Sequence, residues 1–127
     1  MVKLNFVHLC DTAFMGGEDK GRKANIIGIF ENINARNFPA IHPKFSVITE
    51  IQGDAGKYKQ SIVVVNKETG QEISRIDGES EIKVLNGKAI FIGDFLMIAF
   101  PTFGKYVINI LINDNNIGNI EFNVRQI

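Results

Sequence analysis

Four side chains in this sequence are of the kinds that bind metals or act as nucleophiles: His8, Cys10 and Asp11 near the start, and His42 from a distant segment. Imidazole, thiolate and carboxylate are zinc donors, and a cysteine beside a basic histidine is the core of nucleophilic catalysis. Their spacing argues against both. In an extended strand His8 and Cys10 share one face while Asp11 points to the other, and no Cys-x-x-Cys or His-x-x-x-His pair anchors a metal. The residues read first as a packed cysteine and two ordinary histidines. The alternative is a small-molecule or metal-dependent activity at His8, Cys10, Asp11 and His42, which requires all four to converge.

Other groupings are weaker. Gly16 and Gly21 have the separation of a phosphate-cradling loop, but Arg22 stands where that loop needs lysine, no Ser or Thr follows, and Asn25 to Phe30 reads as strand where a helix N-terminus is required. Asp77, Glu79 and Glu81 would align three carboxylates about 7 Å apart along an extended chain. That suits calcium or a glycosidase, and equally a solvated strand whose charges discourage edge pairing. From Asp114 an EF-hand loop would need glycine at its sixth position and glutamate at its twelfth; Asn119 and Arg125 stand there. No catalytic residue and no cofactor is expected.

The elements that must position these residues are strands. Ile, Val and Phe recur with period two between Gly, Asn and Asp punctuation, and helical spacing is nearly absent. Strands are expected near Lys3 to Leu9, Asn25 to Ile33, Lys44 to Ile51, Lys59 to Asn66, Glu72 to Ile76, Glu81 to Leu85 and Lys88 to Phe100, the last bent or bulged at Gly93. A hairpin turning at Asn113 to Asn116 closes the chain, and Asn86-Gly87 predicts a type I′ turn. The fold class this predicts is all-β: a two-sheet antiparallel β-sandwich of about 7 to 9 strands, immunoglobulin-like or C2-like. The longer connections, Asp11 to Lys23 and Ala35 to Pro43, are where a sandwich carries a site.

With 127 residues, 45% of them hydrophobic and 22% charged, the chain reads as one globular domain over residues 1–127. Fourteen basic and fourteen acidic residues cancel, so no whole-molecule field draws in nucleic acid or an anionic membrane. Neither is expected as a partner. The most apolar stretch, Ala89 to Phe100, is about half a membrane span. The N-terminal ten residues lack a signal-peptide pattern, and one cysteine cannot form an internal disulfide; both point to a cytoplasmic setting.

The run Ala89 to Phe100 is apolar on both faces, with Phe91, Phe95 and Met97 opposing Ile90, Ile92, Leu96 and Ile98. Sandwiches usually solvate the outer face of each sheet, so a two-faced strand predicts a protein partner or self-association as a homodimer. Phe91, Phe95 and Met97 are the interface candidates, joined by Phe38 and Phe103 from the connections. On these grounds the chain is expected to be a non-enzymatic protein-binding or assembly module.

Four segments, Phe6 to Asp11 (FVHLCD), Lys23 to Phe30 (KANIIGIF), Phe38 to Pro43 (FPAIHP) and Phe103 to Tyr106 (FGKY), resemble a family of small bacterial proteins catalogued only as a domain of unknown function. The resemblance runs nearly the length of the chain. It implies a compact all-β domain in a bacterial, intracellular setting, and no activity.

Overall fold

In a computed structural model the described residues are 1–17 and 23–127, and they form nine strands: β1 (Val2–Gly16), β2 (Lys23–Ile29), β3 (Asn32–Ala35), β4 (Ala40–Gly53), β5 (Gly56–Asn66), β6 (Glu72–Ile82), β7 (Gly87–Phe100), β8 (Gly104–Ile112) and β9 (Asn115–Gln126). They pair into a four-stranded sheet, β2-β1-β4-β7, and a five-stranded sheet, β3-β9-β8-β5-β6. Every pairing is antiparallel except β3 with β9, so the five-stranded sheet is mixed. The β-sandwich read from the alternation is the fold observed.

Strict alternation builds the core. Ile62 and Val64 of β5, Tyr106, Ile108 and Ile110 of β8, and Phe122 and Val124 of β9 all turn inward against Leu9, Phe45, Val47 and Phe95 of the other sheet. Phe100, Tyr106 and Phe122 form an aromatic wedge with ring centroids 5.0 to 5.9 Å apart. Such contacts add to the burial of about 25 cal/mol per Å² of apolar surface that holds a sandwich together. The β8–β9 hairpin turns on Asn113 and Asp114, both left-handed at φ 49° and 70°, as a two-residue type I′ loop requires.

Several expectations are corrected, among them the single strand expected over Asn25 to Ile33, which is β2 and β3 in different sheets. β6 is continuous from Glu72 to Ile82, where two strands were predicted, because Gly78 leaves room for the Phe91 ring; a Cβ there would meet it at 2.6 Å. The turn before β7 spans Val84 to Gly87 with Asn86 at φ 59°, and Gly87 opens the strand rather than completing a type I′ pair. The irregularity of β7 lies at Met97, not Gly93.

Met97 has φ 51° and stands opposite Pro43, which has no N–H to donate. Pairing skips that position and resumes at His42 with Ile98. The inward set changes with it, from Phe91 and Phe95 to Ile98 and Phe100. Gly93 has a different role. A Cβ there would come within 2.9 Å of Ile62 Cδ1, so the glycine lets the two sheets approach.

Candidate functional site

The sandwich separates the four metal-type residues. Cys10 is fully buried and stands opposite Ser46, and its neighbour Ile48 is opposite His8, so both candidates lie on the outer face of the four-stranded sheet. The His42 ring packs against Phe30 and Phe45, at 6.2 and 5.8 Å. Phe45 is a core residue, which puts His42 at the inner side of the same sheet. Asp11 is exposed and lies over Gly28, whose φ of 73° marks a second break in pairing, between β1 and β2. Among the described residues no group of three or more His, Cys, Asp or Glu is placed to hold a metal ion.

The Cys10 thiol is pushed up from its ordinary range, first by burial and then by the nearby Asp11 and Asp94 carboxylates. It is held toward the carbonyls of Thr12 and Ser46 at 3.4 and 3.5 Å. A buried thiol surrounded by acceptors and carboxylates stays protonated, the opposite of an activated nucleophile.

The other groupings dissolve in the same way. Glu79 and Glu81 stand opposite Lys59 and Lys57 across β5 and β6, while Asp77 accepts from Ser61 Oγ at 2.6 Å and faces Arg75 Nε at 3.5 Å. Opposite charges facing each other across strands belong to a solvated sheet surface; the ion pair that Lys59 makes is with Asp114, at 3.0 Å. Of the glycine-rich segment, Gly16 ends β1 and Lys23 begins β2, so both belong to strands; residues 18–22 lie outside the described residues.

What the fold does assemble is an apolar outer face on the four-stranded sheet. Phe6, Ile26, Ile90 and Ile92 pack around Cys10, Ala13 and Ile48 there. Ile29, paired with Cys10, is 60% exposed, and Leu96, paired with Lys44, is 68% exposed. Both charge signs stand beside them: Lys44 and Lys88, Glu50 and Asp94. Asp94 accepts from the buried Ser46 hydroxyl at 2.5 Å. The opposite outer face, on the five-stranded sheet, carries Lys57, Lys59, Asp77, Glu79 and Glu81 on β5 and β6, alongside Val63, Val65, Val107 and Leu111.

The interface candidates are distributed between surface and core. Phe95 is 3% exposed and belongs to the core, and Phe91 packs inward against it. The parity of β7 that sends these two inward sends Ile90, Ile92 and Leu96 outward, and these are the residues that sequence reasoning passed over. Met97 is exposed beside Leu96. Phe38 and Phe103 meet at one end of the sandwich, ring edge to face, 6.0 Å between centroids.

A search of curated proteins returns no match. Among solved structures the chain is similar to the Pseudomonas fluorescens alkylpurine DNA glycosylase AlkC bound to DNA containing an abasic site analog, at 12% identity and a TM-score of 0.59, over 98% of this chain and 30% of that one. It therefore spans less than a third of that protein's length. It is also similar to an immunoglobulin-like protein from Pseudomonas aeruginosa, at 13% identity and a TM-score of 0.50, over 98% of this chain and 97% of that one. At these identities the likeness is one of fold. The family model for a family of unknown function, DUF6941, matches residues 5–125, and this chain belongs to that family.

Proposed function

We propose that this chain is a non-enzymatic assembly module that pairs with a second copy of itself through the outer face of its four-stranded sheet. The observation that supports this is the set of half-buried and exposed apolar side chains on the outer face of the four-stranded sheet, Phe6, Ile90 and Ile92 with Ile29 and Leu96, whereas the β5–β6 surface of the other sheet carries facing opposite charges. Apolar side chains left on an outer sheet face cost free energy in water, and covering them relieves it.

A second copy fits that face in size and charge. Four strands about 4.8 Å apart and about eight residues long present roughly 500 Å² in projection, which side-chain relief raises toward the roughly 800 Å² per partner of a standard interface. Zero net charge means two copies do not repel at long range. The face carries both Lys44 and Asp94 beside Cys10 and Ser46, so a two-fold axis sets opposite signs against each other across the interface.

The reading is tested by placing charge on the face. Ile29→Glu with Leu96→Glu, both at exposed positions, is expected to sediment as a single chain with its circular dichroism unchanged while the parent sediments as a dimer. A parent that sediments as a single chain sinks the reading.

A further inference from the structure

A second surface lies away from that face, where β3 leads into β4 and β7 into β8. Phe103 is 55% exposed there, although the loop carrying it is tied down. The fully buried Tyr106 donates its hydroxyl to the Thr102 carbonyl at 2.7 Å. Across from it the β3–β4 loop is held by the end of β9: Gln126 Nε2 donates to the Arg36 carbonyl at 3.3 Å, and the Ile127 N–H to the Ala35 carbonyl at 3.0 Å. Phe103 stands between two hollows. One, of about 540 Å³, is walled by Arg125, Lys105 and Glu68; the other, of about 230 Å³, by Phe38, Pro101 and Gln126. An exposed ring already fixed by its surroundings loses little freedom on binding.

Charge indicates what the ring meets. Lys67 and Lys105 both engage Glu121. Arg36 and Arg125 are exposed and make no ion pair among the described residues. We propose that this end of the sandwich binds an acidic peptide segment with an apolar anchor, the anchor packing on Phe103 and Phe38 and its flanking carboxylates taking Arg36 and Arg125. Guanidinium groups match carboxylates with two parallel hydrogen bonds. Exposed aromatics beside arginines also suit a single nucleic-acid strand. Glu68 lines the larger hollow beside Arg125, which disfavours a chain charged at every unit and favours a peptide whose carboxylates can be confined to the arginines.

The test is fluorescence polarisation with three labelled synthetic peptides sharing a Leu-Phe core and flanked by Glu and Asp, by Ser, or by Lys, with labelled oligothymidylate alongside. The acidic peptide is expected to bind about tenfold or more tighter than the lysine-flanked one and to weaken with added salt. Phe103→Ala, and separately Arg36→Gln with Arg125→Gln, are each expected to weaken it about tenfold or more at an unchanged melting temperature. The surface arginine pair keeps the test decisive if the Phe103 variant folds poorly. Equal affinity for all three peptides, no binding of any, tighter binding of oligothymidylate, or full binding by the arginine variant overturns the proposal.

Discussion

Gln60 of β5 and Thr49 of β4 meet across the two sheets, the amide Nε2 donating to the threonine hydroxyl at 2.7 Å with both side chains fully buried. Ser80 of β6 completes the line by donating to Gln60 Oε1 at 2.6 Å. Among the described residues no buried side-chain polar atom lacks a partner. Thr49→Val would strand one end of the amide in a dry interior, at a cost of about 1–3 kcal/mol. Chemical denaturation checks this; a loss below about 0.5 kcal/mol would show that water reaches the amide.

Gly93 sets how closely the sheets approach. Gly93→Ala places a methyl within 2.9 Å of Ile62 Cδ1 and 3.1 Å of Ile76 Cδ1. Overpacking of that kind costs about 1–3 kcal/mol. The melting temperature should fall accordingly, and an unchanged value would mean that the isoleucines rearrange freely.

Met97 carries strain without packing to compensate for it, being 65% exposed with φ 51°. Met97→Gly should therefore stabilise by about 0.5–1 kcal/mol and Met97→Val destabilise by about 1–2 kcal/mol. Equal stability of the two variants would remove the strain argument.

Cys10 should resist thiol reagents in the folded protein and react on unfolding. Its folded pKa is raised by burial and by Asp11 and Asp94. The stability this contributes is complete below the unfolded thiol's ordinary pKa and is lost as pH rises toward the folded one. Rapid labelling of the native protein at neutral pH would contradict the buried, protonated thiol.

Much of the fold was legible because alternation survives in single strands: Tyr106, Ile108, Ile110 and Ile112 are all buried, as their spacing requires. What stayed hidden depends on partners distant in sequence. The inward set of β7 changes at Met97 because Pro43 lies opposite, and no local pattern announces that pairing. For the same reason the two-faced run Ala89 to Phe100 announced an apolar surface without revealing that Ile90, Ile92 and Leu96, rather than Phe91 and Phe95, form it. β1 is expected to end near Leu9 because Asp11 to Lys23, Gly-rich and charged, reads as a connection, yet pairing with β2 carries the strand to Gly16.

The measurement that bears most directly on the assembly reading is the mass of the unmodified chain in solution, by light scattering across a dilution series. The mass of two chains is expected at the concentrated end, falling toward one on dilution or on Ile29→Glu with Leu96→Glu. The mass of a single chain at every concentration would contradict it.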